Sequence, residues 1–114
     1  MIVRNINDPE VIETTYIAHR GGVARMVLTG KFLESMEFFA HAVVPPGNKL
    51  EEHVDPFEEI YFILKGSGLM RVGEEEKNVK ERDAVWIPAG DIHSLKNTGE
   101  ETLEIIVVAA YPVR

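Results

Sequence analysis

The chain has 114 residues and a mass of 12.8 kDa, the size of one domain, and 45% hydrophobic residues suffice for a single core. With 19 Asp and Glu against 12 Lys and Arg, the formal charge of −7 repels phosphate backbones and anionic lipid, which argues against nucleic-acid and membrane partners. There is no cysteine, so disulfides, thiolate zinc sites and a cysteine nucleophile are excluded, and any metal site must be built from His, Asp and Glu.

Residues 1–5 lack the basic patch and apolar run of a signal peptide, and no stretch approaches the roughly 18 apolar residues of a membrane span; the expectation is a cytoplasmic protein. From there, short segments rich in Val, Ile, Phe and Tyr recur between turn signals, the pattern of an all-β sandwich or barrel. His19, followed by Arg20-Gly21-Gly22, reads as a loop and is assigned no role. Strands are predicted over residues 23–28, 36–44, 49–54, 59–64, 68–72, 76–80, 84–87, 94–97 and 103–110, with a short helical turn over 30–35. Turn signals punctuate them at Pro45-Pro46-Gly47, Asp55-Pro56, Lys65-Gly66, Pro88-Ala89-Gly90 and Asn97-Thr98-Gly99. The triplet Glu74-Glu75-Glu76 falls at a hairpin tip, where it is solvated. So many short strands in so small a chain favour a closed or double-sheet arrangement that limits exposed edges, a jelly roll.

The segment His53-Val54-Asp55-Pro56-Phe57-Glu58-Glu59 crowds charge beside an apolar strand. His53 and Asp55 share a face of one strand, about 6.6 Å apart. With Asp55-Pro56 as a turn, a three-residue loop over 56–58 makes Asp55 and Glu59 direct cross-strand partners and places His53 opposite Tyr61. A two-residue loop puts Glu58 opposite Asp55 instead. Like charges facing each other destabilise a strand pair, so the convergence calls for a cation or a raised carboxyl pKa. The alternative is a solvated acidic turn in which these side chains meet only water.

Further along, His93 opens a strand directly after the Pro88-Ala89-Gly90 turn, with Leu95 and Asn97 on its face. Together the two segments resemble the cupin family. Its first signature runs Gly, five residues, His-x-His, three or four residues, Glu, six residues, Gly. The second runs Gly, five residues, Pro-x-Gly-x-x-His-x-x-x-Asn. Gly47, His53, Glu59 and Gly66 fall at the first spacings, and Pro88, Gly90, His93 and Asn97 at the second. Asp55 stands where the family's second histidine belongs, and Arg82, followed by Asp83, where the second motif's first glycine belongs.

The resemblance implies a double-stranded β-helix, or jelly-roll, barrel forming one domain over residues 1–114. Its conserved barrel covers 36–110, and N-terminal strands within 1–35 lie at a homodimer interface, since cupins commonly pair through their sheets. It carries over His53, Glu59 and His93 as ligands of one divalent ion per subunit (Mn, Fe, Zn or Ni); Asp55 is added because aspartate is also a metal ligand. If all four bind, two carboxylates neutralise the ion; if Asp55 stays off it, a two-histidine, one-carboxylate set with open positions is left. The function implied is a metal-dependent enzyme acting on a small organic molecule by decarboxylation, dioxygenation, isomerisation or lyase chemistry. The alternative is a non-catalytic module that binds a sugar or organic acid.

Other side chains follow from strand parity. Tyr61 and Ile63 share the face of Glu59 and are pocket-wall candidates, whereas Phe62 and Leu64 point to the opposite surface, which a second copy can cover. His41 is a second pocket candidate, since alternation does not say which face of its strand is inside. Trp86 is expected in a core or interface position, and Arg25, Lys49 and Arg71 are candidates for holding a carboxylate substrate.

Overall fold

The computed structural model describes residues 1–112. In chain order the elements are a helical turn α1 (Pro9–Ile12) and strands β1 (Tyr16–Ala18), β2 (Gly22–Thr29), β3 (Met36–Val44), β4 (Lys49–His53), β5 (Glu58–Lys65), β6 (Ser67–Val72), β7 (Glu75–Lys80), β8 (Ala84–Ile87), β9 (His93–Asn97) and β10 (Leu103–Ala110). Each strand predicted from the apolar segments between turn signals is present, with ends that differ by no more than one residue. Residues 30–35 are not helical. There the Thr29 carbonyl accepts from the amides of Phe32 and Leu33 at 2.9 and 3.0 Å, which closes a turn into β3.

The strands form a six-stranded sheet in the order β1-β2-β3-β10-β5-β8 and a four-stranded sheet in the order β4-β9-β6-β7. All pairs are antiparallel. The two sheets face each other as a jelly-roll barrel. Along β10 burial alternates residue by residue, as expected of a strand with one face on a core. Leu103 and Ile105 from β10, Ile63 from β5, Ile87 from β8 and Leu95 from β9 are fully buried between the sheets, each contributing roughly 1.5–3 kcal/mol of hydrophobic stabilisation.

The chain changes sheet between β5 and β6, and Gly66 makes that corner. Its φ of +89° lies in the left-handed region, and a Cβ there would stand 3.1 Å from the Thr102 carbonyl oxygen. The outer face of the six-stranded sheet leaves Ile60, Phe62, Leu64 and Trp86 exposed. Among the described residues no helix is long and apolar enough to cross a membrane.

Candidate metal centre

β4 and β9 pair so that Leu50 faces Leu95 and His53 faces His93, with a register shift between the two pairs. Leu50 and His53 are an odd number of residues apart, so a regular strand would send them to opposite faces. The extra residue of the bulge restores the parity and turns both inward. The rings of His53 and His93 meet edge to face, centroids 4.0 Å apart. Each Nδ1 lies against a backbone carbonyl, Glu51 at 2.7 Å and Asp91 at 2.9 Å. A carbonyl only accepts, so both Nδ1 atoms carry a proton, and both Nε2 atoms point into the barrel.

After His53 the chain crosses from the four-stranded to the six-stranded sheet. The hairpin read from Asp55-Pro56 is therefore not formed. β4 and β5 belong to different sheets, Glu59 pairs with Ile87 and Ala109 rather than Asp55, and His53 faces His93 rather than Tyr61. A chain connecting two sheets can reverse without ladder pairing, and here the Gly90 amide donates to the Asp55 carbonyl at 2.9 Å, tying the crossing to the Pro88-Ala89-Gly90 turn. The convergence inferred from the hairpin arises instead across the barrel. Asp55 Oδ2 lies 3.4 Å from His53 Nε2 and 3.5 Å from His93 Nε2, and Glu59 Oε1 lies 3.2 Å from His93 Nε2. Glu58 faces away and accepts a hydrogen bond from Trp86 Nε1 at 3.0 Å.

One ligand atom from each of His53, Asp55, Glu59 and His93 lies within 4.8 Å of the others. His53 Nε2, His93 Nε2 and Glu59 Oε1 are buried with no hydrogen-bond partner, an unfavourable state at roughly 1–3 kcal/mol per group. Three orphaned atoms aimed at one point fit a cation. Ligands about 2.1 Å from a shared ion stand roughly 3.0–3.5 Å apart at octahedral or tetrahedral angles, the spacing of the three contacts given above. The cluster can hold a metal.

Electrostatics agree. Burial pushes the Glu59 carboxyl up, with Asp55 beside it acting in the same direction. Burial also opposes ionisation of Asp55, but the nearby polar groups, His53 first and then Glu59 and His93, outweigh it and bring the carboxyl down to about 2. Burial disfavours the His93 imidazolium, yet the Glu59 carboxylate and the Asp91 carbonyl raise its pKa overall. Without an ion, Asp55, Glu59 and His93 perturb one another's protonation in the directions given above.

A cavity of about 230 Å³ opens beside the cluster, lined by Asp55, Glu59 and Tyr61 and otherwise mainly by small and apolar side chains of β1, β2, β3, β4 and β10. A larger cleft of about 430 Å³ lies between β7 and β8 and contains none of the four residues; the chemistry places the site at the smaller one. Tyr61 is 2% exposed and stands edge-on to His93 at 5.9 Å. Burial, then Glu59 and Asp55, hold its hydroxyl well above the usual phenol range.

Several expected neighbours lie elsewhere. His41 does not line the cavity. Ala40 and Ala42 face inward from β3, so His41 faces outward, its Nε2 2.7 Å from Glu104 Oε1. Arg25 reaches the Ile6 carbonyl, Lys49 pairs with Glu52, and Arg71 donates to the Gly73 carbonyl. Trp86 is 62% exposed, on the outer face rather than in the core.

His19, read from the sequence as an uninvolved loop residue, stacks on His53 with ring centroids 3.3 Å apart and planes within 10°. The β1–β2 loop is docked on β4: the Glu51 amide donates to the His19 carbonyl at 3.1 Å, and Asn48 Nδ2 to the Gly21 carbonyl at 3.1 Å. A Cβ on Gly21 would stand 1.8 Å from the Lys49 carbonyl oxygen, so only glycine permits this approach. The Arg20-Gly21-Gly22 run was the available signal, since glycine marks close backbone contact as well as flexibility.

The model of the family described as "Cupin domain" matches residues 40–109. An uncharacterised protein of Methanocaldococcus jannaschii is 36% identical over 100 residues, covering 85% of this chain and 78% of that protein. Auxin-binding protein 1 of Arabidopsis thaliana is 31% identical over 123 residues, 97% of this chain and 60% of the relative. The oxalate-binding protein of Thermotoga maritima is 36% identical over 72 residues, 61% of this chain and 59% of the relative. The chain thus spans less than two thirds of these last two proteins. Among solved structures, a predicted oxalate decarboxylase of Thermotoga maritima superposes with a TM-score of 0.82 at 27% identity, covering 97% of this chain and all of the other (100%).

Proposed function

The chain belongs to the cupin family, and on that premise we propose that it binds one divalent metal ion through His53, Asp55, Glu59 and His93 and acts on a small organic molecule held in the adjoining cavity. The observation that carries this reading is the set of three buried, unpartnered ligand atoms aimed at one point. When bound, an ion of the Mn²⁺, Fe²⁺, Zn²⁺ or Ni²⁺ type polarises a carbonyl or carboxylate oxygen. The chain's own residues do the rest. Glu51 and Asp91 fix the imidazole tautomers through their carbonyls. Tyr61 keeps its hydroxyl proton and offers it as a donor at the cavity wall, and the apolar lining excludes water.

Relatives named for oxalate and auxin support a small-ligand site and also favour the second reading, a binding module without turnover; product formation from bound ligand separates the two. The exposed Ile60, Phe62, Leu64 and Trp86 support pairing of two copies through the six-stranded sheet, with the N-terminal strands at that interface.

The metal reading is tested by emission analysis of protein reconstituted with Mn²⁺ and dialysed. We expect about one ion per chain in the wild type and at least about a hundredfold weaker uptake in His53→Ala and His93→Ala, because each variant deletes a whole ligand. Equal metal content in all three removes the proposed ligands.

A further inference from the structure

We propose that the cavity takes a ligand with an apolar body and a chelating oxygen head bearing no more than one negative charge, and that it turns dicarboxylates away; the inference rests on the metal reading above. It follows from the charge of the donor set and of the walls. Two imidazoles, with Nδ1 donating to a carbonyl and Nε2 facing the site, contribute no charge when they ligate, because a nitrogen that holds a metal carries no proton. Asp55 and Glu59 contribute one negative charge each, so a divalent ion bound there sits in a neutral centre. A histidine at position 55, as in the pattern the chain otherwise follows, would leave that centre with one positive charge.

The walls do not restore what Asp55 removes. Among the described residues lining the cavity there is no Lys or Arg; the apolar side is built from residues such as Ala24, Phe38, Ala40, Leu50 and Val107. Arg25, Lys49 and Arg71, the cations the sequence offered for a carboxylate, are engaged outside it. Among the described lining residues His19 is the one basic side chain, and it lies stacked on His53 at the cluster end. A ligand with two carboxylates would therefore bring two charges out of water with no cation to meet the second, an uncompensated burial that binding sites avoid. A single acid, or an enol or phenol that ionises once, brings one charge and places it on the ion. Size sets the other bound. A dry cavity of about 150 Å³ accepts benzene, so 230 Å³ suits one substituted ring or a branched chain of similar bulk.

Oxalate and pyruvate differ by a methyl in place of one charged oxygen and are otherwise nearly the same shape, and 4-methyl-2-oxopentanoate adds a branched apolar body to the same head. All three are titrated calorimetrically into Mn²⁺-loaded protein, with manganese content measured on each sample before and after. In free solution oxalate is the strongest chelator of the three. The expected order here is 4-methyl-2-oxopentanoate over pyruvate by about tenfold, from the extra buried methylenes, and pyruvate over oxalate by at least about tenfold, from the unpaired charge. Asp55→His, or Asp55→Asn should the histidine variant not hold manganese, returns one positive charge and raises oxalate affinity at least about tenfold. Oxalate binding to the wild type as tightly as pyruvate with manganese retained, no binding of either oxo acid at millimolar concentration, or unchanged oxalate affinity in both variants overturns the inference. A wild type that retains no manganese before any ligand is added fails the metal reading itself.

Discussion

Replacing Glu59 by glutamine should move stability in opposite directions with and without metal. The residue is 4% exposed, its Oε1 has no hydrogen-bond partner, and Asp55 is its neighbour in the cluster. In the metal-free protein the carboxylate is thus a buried, poorly satisfied charge beside a like charge, and the amide keeps the shape while removing that charge. The expected gain is about 1–3 kcal/mol at pH 7.5, or roughly 3–6 °C in Tm per kcal/mol for a domain this small. The sign with pH follows from the raised carboxyl: its favourable contribution is complete below the unfolded pKa and is lost as pH rises through the folded value. Metal-free wild type therefore loses stability over that interval, and Glu59→Gln loses less. With Mn²⁺ in about hundredfold excess over its dissociation constant, wild type gains about 2.7 kcal/mol by mass action, and the variant, lacking an anionic ligand, gains little. Paired thermal melts, each with chelator and with Mn²⁺, read both signs at once. A variant less stable than wild type in chelator, yet equally stabilised by Mn²⁺, would mean that Glu59 is an ordinary packing residue and would refute the reasoning.

Two further predictions concern the shell around the site. Wild type should scatter light at about twice the 12.8 kDa chain mass, and Phe62→Glu, which sets a charge in the middle of the exposed apolar face, should give the single-chain mass; a wild type of single-chain mass rules out the pairing. Gly21→Val forces a side chain into the Lys49 carbonyl and should destabilise by about 1–3 kcal/mol while lifting the β1–β2 loop off β4. Loss of the ring-current shift that His19 and His53 impose on each other in proton NMR reports that movement, and an unchanged shift would show that the loop is held by other contacts.

What was legible in the sequence depended on whether its signal was local. The apolar, β-branched and aromatic runs of β3, β5 and β10 are written in consecutive residues, so these strands could be read directly, and the glycine and proline spacings marked the corners of the barrel. The side chosen by His41 was not, because a strand packed on one face and apolar on both has no local mark of which face is inside. Trp86 left core and interface both open for the same reason, and its pairing with Ile60, on the outer face, removes the core. β1 and α1 escaped because three- and four-residue elements are too short to show a period.

The reading of Asp55-Pro56 as a hairpin was the instructive error. It required Asp55 and Glu59 to be ladder partners, whereas the structure brings them together across two sheets and brings His53 to His93 through a bulge whose partner strand lies far along the chain. Local turn chemistry fixes that the chain bends at this point, not which strand it meets afterwards. The convergence survived the error because it does not depend on the ladder: the chemical demand that two carboxylates near one another find a cation is the same in a hairpin and across a barrel. Residue chemistry therefore pointed to the convergence more reliably than the pairing assumed for it, and of the two departures from the family pattern, Asp55 and Arg82, Asp55 is the one inside the cluster, where the proposed selection of ligand by charge would be decided.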